Sequence, residues 1–258
     1  MSVSPPNQGH AVAGPDVAAG RDQLPTAQRV LAVCAHPDDE TFGLGALLAA
    51  FAQRTADVAL LTLTRGEATT SSGDRERLAR QRTVELACAT EQLGIARSSV
   101  HSFPDGRLRE VAGDQVLATV QLAIDEHDPD LLLVFDPAGI TGHPDHQQAT
   151  EATLLAACGA DVPVLGWYVP TEVALRLNGE FAAGFVPTTP VPGDLHVGVD
   201  RAPQIAAMVC HGSQRDDLAV VSRMVELLGD GEHLRALTRT TAASEARHRH
   251  DHTVHQLH

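Results

Sequence analysis

Four short aliphatic runs constrain this chain more than any other feature: "RVLAVCA" (29–35), "DVALLTLT" (57–64), "DLLLVFD" (130–136) and "VLGWYV" (164–169). Each is nearly continuous in apolar character, as expected of a parallel strand covered on both faces. The stretches between them read as helices. Residues 43–54 are rich in Ala and Leu. Residues 74–93 carry Leu78, Leu86, Ala89 and Leu93 at near-helical spacing and stop at Gly94, a C′ residue. Residues 114–127 repeat the pattern with Val116, Val120 and Ile124. Strands alternating with helices predict one α/β domain over 29–237. It is Rossmann-like, a mostly parallel, doubly wound sheet with helices on both faces. The C-terminal third is less regular. Residues 170–200 are dotted with Pro and Gly and read as loop with a late strand near 195–199, followed by helices over 201–212 and 217–228.

Composition narrows the partners. The 258 residues are 43% hydrophobic with one Trp and one Tyr, so aliphatic side chains must fill the core. A net charge of −14 argues against a nucleic-acid partner, which would want a basic surface. No apolar run approaches the roughly 20 residues of a membrane span. Residues 1–28 lack a basic head followed by an apolar stretch, so they read as a disordered arm and not a signal peptide. Residues 238–258 read as a disordered tail, although five His fall in its last eleven positions. The four cysteines form no C-x-x-C pair and sit among apolar neighbours, so they read as reduced, buried thiols of a cytoplasmic protein.

The chemistry starts where the first run ends. "AHPDDE" (35–40) places His36, Asp38, Asp39 and Glu40 at the lip of the core, where three carboxylates would repel one another. A second motif, "FDPAGITGHPDHQQAT" (135–150), follows the third run. Both contain His-Pro-Asp, and both stand at strand ends, where open α/β sheets bind ligands. Pro144 suits the first position of a helix, with His143 as its cap and His146 in its first turn. The positive end of that helix favours the neutral imidazole, the form that binds metal. A divalent cation would relieve the carboxylate cluster. His36, Asp39 and His146 make a mixed nitrogen and oxygen set that suits Zn²⁺ and leaves positions open for water; Fe²⁺ is the other ion such a set accepts.

These two motifs resemble those of the PIG-L, or LmbE-like, de-N-acetylases. Supporting matches are "TRGE" (64–67), Arg82–Leu86, "PDGRL" (104–108) and "HGSQ" (211–214). The resemblance implies a Rossmann-like fold and zinc-dependent removal of an acetyl group from an N-acetylglucosamine-type conjugate. It implies His36, Asp39 and His146 as metal ligands and Asp38 as the general base toward water. His143 would stabilise the oxyanion or protonate the leaving amine. Arg82 and Asp105 match positions that contact the sugar; Arg65 and Glu67 are weaker candidates for the same cleft. The physical demand agrees, because an amide is a poor electrophile and its amine a poor leaving group.

Rival readings are a mycothiol S-conjugate-type amidase, a metallophosphoesterase, a sugar-binding module without activity and a nucleotide-binding dehydrogenase. The last is disfavoured because "GLGALL" (43–48) lacks the third glycine of the fingerprint and does not directly follow the strand. An Ala- and Arg-rich, Lys-poor composition points to a high-GC, actinobacterial-type source.

Overall fold

A computed structural model describes residues 22–68 and 74–238. Its strands are β1 (Arg29–Cys34), β2 (Asp57–Thr64), β3 (Arg97–Phe103), β4 (Leu131–Phe135), β5 (Val164–Trp167), β6 (Leu195–Gly198) and β7 (Gly231–Ala236). Its helices are α1 (Asp39–Phe42), α2 (Gly45–Gln53), α3 (Arg75–Leu93), α4 (Gly113–His127), α5 (Pro144–Ala160), α6 (Thr171–Phe181), α7 (Ala202–Met208) and α8 (Leu218–Leu228). One sheet holds all seven strands in the order β3-β2-β1-β4-β5-β7-β6. The first five are parallel, and β7 runs antiparallel to β5 and β6. The expected α/β class and mostly parallel sheet are therefore what the chain adopts.

Strand alternation divides the core in two. Val30, Ala32 and Cys34 of β1 face Leu44, Leu47, Phe51 and Leu86 on one side of the sheet. Leu31, Val33 and Ala35 face Val116, Val120, Ala149 and Ala152 from α4 and α5 on the other. Helix boundaries follow local chemistry. Asp74 caps α3 by accepting from the Arg77 amide at 2.9 Å, and Gly94 ends it at φ 72°. His143 caps α5, with Pro144 opening it, as the sequence predicts.

Several expectations need correction. From Asp22 onward the expected arm is packed: the Asp22 amide donates to the His196 carbonyl at 2.8 Å, and Leu24 is buried in the core. The rest of the arm and the His-rich tail lie outside the described residues. Residues 170–200 are not loop throughout up to the late strand, because α6 occupies 171–181. β3 and β7 carry no continuous apolar run and went unpredicted. The cysteines are not all reduced: Cys88 on α3 and Cys210 form a disulfide, and Cys158 is exposed. Only Cys34 matches the buried-thiol reading.

Candidate active site

β1 and β4 are neighbours in the sheet, so the segments leaving their carboxyl ends meet. This is the switch point, where the connections from adjacent strands diverge and leave a crevice. His36–Glu40 arrive from β1; Asp136–His146 arrive from β4.

Three side chains converge there. His36 Nδ1 lies 3.2 Å from His146 Nε2, and His146 Nε2 lies 3.1 Å from Asp39 Oδ1. His36 Nδ1 is 3.7 Å from Asp39 Oδ2. Donors about 2.0–2.2 Å from a tetrahedral ion stand about 3.3–3.6 Å apart, so this spacing fits a cation such as Zn²⁺. The outer nitrogens of both rings are committed elsewhere. His36 Nε2 faces Asp105 Oδ1 at 3.2 Å and Asp145 Oδ2 at 3.3 Å, so it carries the proton, since carboxylates only accept. His146 Nδ1 donates to the Gly139 carbonyl at 3.1 Å. Both rings thereby keep their inner nitrogens, His36 Nδ1 and His146 Nε2, for the shared space, the arrangement that outer partners impose on metal-binding imidazoles.

The charge balance points the same way. Burial would lower the His36 pKa, but Asp105, Asp145 and Asp39 outweigh it and push it up to about 10. Burial works to raise the Asp39 carboxyl, yet His146, His36 and the His36 amide hold it below the usual carboxylate range. The centre carries an excess of buried negative charge that a cation would neutralise. His143 supplies a third nitrogen, grouped with those of His36 and His146 within 4.8 Å.

The other two carboxylates of the first motif are separated from Asp39 by having their own partners. Asp38 Oδ2 accepts from Arg82 Nη2 at 2.5 Å and from Gln214 Nε2 at 2.7 Å. Burial nevertheless raises its carboxyl to about 6, against the opposing pull of Arg82. Its backbone sits at φ 119°, a strained conformation costing about 1–3 kcal/mol. Glu40 Oε2 helps to hold it by accepting from the Asp38 amide at 2.8 Å. Glu40 is itself fully buried against His211, whose Nε2 lies 2.9 Å from Oε1.

Each predicted site residue can now be placed. His36, Asp38, Asp39, Arg82, Asp105, His143 and His146 all line one cleft of about 400 Å³. Arg82 and Asp105 differ from expectation in what they hold. Arg82 is 2% exposed and donates to Asp38, to the Pro37 carbonyl and to the Gly66 carbonyl. Asp105 faces His36 and accepts from the Ala68 amide at 2.7 Å. Their observed partners are protein groups, so both support the floor of the site. Arg65 and Glu67 are not among the lining residues; Arg65 pairs with Glu76, and Glu67 accepts from the Asp105 amide. Sequence reasoning missed Asp145 as the anchor of His36, and it missed Gln214 and His211. "HGSQ" was the signal for the last two, but nothing local says that it reaches back to residues 38 and 40.

A mostly parallel α/β sheet with a mixed His/Asp centre at its carboxyl edge defines a Rossmann-like protein with a metal-type site. Comparison with known proteins narrows this. A family model described as PIG-L, GlcNAc-PI de-N-acetylase, matches residues 31–157. A 1D-myo-inositol 2-acetamido-2-deoxy-alpha-D-glucopyranoside deacetylase from Kineococcus radiotolerans is 35% identical over 190 residues, covering 60% of this chain and 53% of that one. The enzyme of the same name from Mycolicibacterium gilvum is 33% identical over 228 residues, covering 72% of this chain and 80% of that one. This chain thus spans from about half to four fifths of the length of these relatives. A deacetylase triple mutant from the teicoplanin biosynthetic pathway superposes with a TM-score of 0.64 at 25% identity, covering 81% of this chain and 97% of that one. The chain belongs to the PIG-L de-N-acetylase family.

Proposed function

We propose that this protein is a metal-dependent amide hydrolase that removes the acetyl group, or a related acyl group, from the nitrogen of an N-acetylglucosamine-type conjugate. The observation that carries this is the convergence of His36 Nδ1, His146 Nε2 and the Asp39 carboxylate beside Asp38 and His143 in one cleft. His36, Asp39 and His146 would hold the ion, Zn²⁺ or Fe²⁺ by donor type. The ion supplies Lewis acidity toward the amide carbonyl and lowers the pKa of water.

The chain's own residues do the rest. Asp38 is the base. Arg82 and Gln214 engage its Oδ2, which fixes the carboxylate and leaves Oδ1 to take a proton from the attacking water. Its raised pKa makes it a better proton acceptor than an ordinary aspartate and lets it return that proton to the leaving amine. His143 Nδ1 accepts from the Asp145 amide at 3.2 Å, so the neutral ring carries its proton on Nε2. That N–H is a donor for the oxygen of the tetrahedral intermediate. Burial and the neighbouring His36 and His146 lower the His143 pKa, which favours this neutral form.

An amino-sugar conjugate is the substrate class of the curated relatives, and no helix among the described residues is long and apolar enough to cross a membrane. A cytoplasmic location fits such a substrate; the Cys88–Cys210 pair is the feature against it, since reducing compartments keep such cysteines as thiols. The test separates base from ligand. Asp38→Asn should keep the bound metal and release acetate about 10²–10⁴-fold more slowly. Asp39→Asn should lose the metal. Equal metal loss in both variants would reverse the assignment.

A further inference from the structure

The donor centre occupies one end of its cleft. The remaining wall includes Phe135, Trp167, Phe181, Phe185, Val221 and Met224. Four elements contribute: the end of β4, the end of β5, the end of α6 with the segment after it, and one face of α8. Five of the six belong to a single packed cluster and are buried; Phe181, at 40% exposure, stands at the rim. The segment carrying Phe185 is fixed from within. Asn178 donates to the Phe185 carbonyl at 2.8 Å and accepts from its amide at 2.7 Å. Of these six residues only Phe135 falls inside the span matched by the family model, whereas all seven predicted site residues do.

We propose that this wall is a subsite for an apolar group carried by the amide substrate, next to the bond that is cut. The inference rests on the de-N-acetylase reading for its reaction, and on the wall alone for its ligand. A cyclitol ring, as in the substrate named for the curated relatives, presents several hydroxyls. Away from the donor centre, the described residues lining this cleft offer them only Thr141, Gln214 and Asp217 as polar side chains, and Gln214 is already committed to Asp38. Each hydroxyl buried without a partner costs binding, whereas an alkyl or aryl group leaves nothing unpaired. The apolar group has two sources, an acyl chain longer than acetyl or an apolar aglycone on the sugar. Both present the same chemistry to Phe185 and Met224.

Probes without a scissile amide test the subsite directly. Titration calorimetry on the metal-loaded protein would compare octyl with methyl β-D-glucoside, below the micelle concentration, and octanoate with acetate. Full burial is worth about fourfold in affinity per methylene, so the octyl glucoside, the octanoate or both should bind at least about tenfold tighter than the short homologue. A gain in the glucoside pair assigns the subsite to the aglycone; a gain in the carboxylate pair assigns it to the acyl chain. Phe181→Asp, at the exposed rim, and Met224→Gln, close in length, should each shrink the long-to-short ratio by about fivefold or more. Less than a twofold difference in both pairs, or an unchanged ratio in both variants, overturns the proposal. Failure to release acetate from any N-acetylglucosaminide, with the long probes still preferred, refutes the reaction and leaves the subsite standing.

Discussion

Gly43 is where packing and catalysis meet most closely, and Gly43→Ala turns that into a number. Gly43 lies between α1 and α2 at φ −103°, so alanine meets no backbone strain there. Space decides the outcome. A Cβ would lie 2.3 Å from Phe135 Cε1, 2.7 Å from Phe135 Cζ and 3.1 Å from Trp167 Cζ3. Ordinary contact begins at 3.4 Å, so the Phe135 ring must retreat by about 1 Å. Trp167 is 1% exposed and cannot yield, because its Nε1 donates to the buried Glu232 at 2.6 Å. Phe135 must move instead, and its ring centroid lies 4.9 Å from that of His146. Overpacking of this kind costs about 1–3 kcal/mol. For a domain of this size that lowers Tm by about 2–4 °C per kcal/mol. Gly179→Ala in α6 is the control. Nothing lies within 4 Å of its added Cβ, so helix propensity should stabilise it by up to about 1 kcal/mol. Calorimetric melting of the metal-loaded protein gives both numbers, and acetate release reads the effect on His146. A Gly43→Ala protein as stable and active as the parent would refute the claim that Phe135 is wedged between this turn and the site.

Three further expectations follow from particular contacts. His143→Gln should recover part of the rate lost in His143→Ala, because an amide N–H can still donate to the oxyanion; equal loss in steady-state kinetics would instead make His143 the proton donor to the amine. Burial lowers the His211 pKa, but Glu40 outweighs it and the net shift is upward. Its stabilisation is therefore complete below the unfolded value of about 6.5 and fades as pH rises through the folded value. Urea unfolding should show that decline in the parent and a flatter profile in His211→Gln; parallel profiles would discount the Glu40–His211 pair. Replacing Cys88 and Cys210 together by Ser should cost about 2–5 kcal/mol, since the bridge closes 122 residues of chain. Four titratable thiols in unfolded, unreduced protein would show that the bridge is absent.

Four of the five strands legible from sequence are those whose two faces are both buried; the fifth, β6, is an edge strand. β1, β2, β4 and β5 are apolar at most positions, so their runs are nearly continuous. β3 ("RSSVHSF") sits at the sheet edge with much of its surface exposed. β7 ("GEHLRA") spends a buried position on Glu232, which takes hydrogen bonds from Trp167 and Arg201. Solvent exposure erases the pattern in β3, and a buried carboxylate with tertiary partners erases it in β7. The same reasoning explains the site. His36, Asp39, His143 and His146 stood out because their spacing is local to two motifs. Gln214 meets Asp38 across 176 positions, and nothing in its own neighbourhood announces that contact. Arg82 and Asp105 were legible as candidates for the cleft, but what they hold became visible only once Asp38 and His36 were placed beside them.

The most direct test of the central claim is a metal titration of the chelated protein, followed by acetate release from an N-acetylglucosaminide. The donor set of His36, Asp39 and His146 predicts no activity in the stripped protein and a linear rise that ends at one equivalent of Zn²⁺ or Fe²⁺, with no rise in His146→Ala. Activity that survives chelation, or a His146→Ala protein that titrates like the parent, would contradict the account.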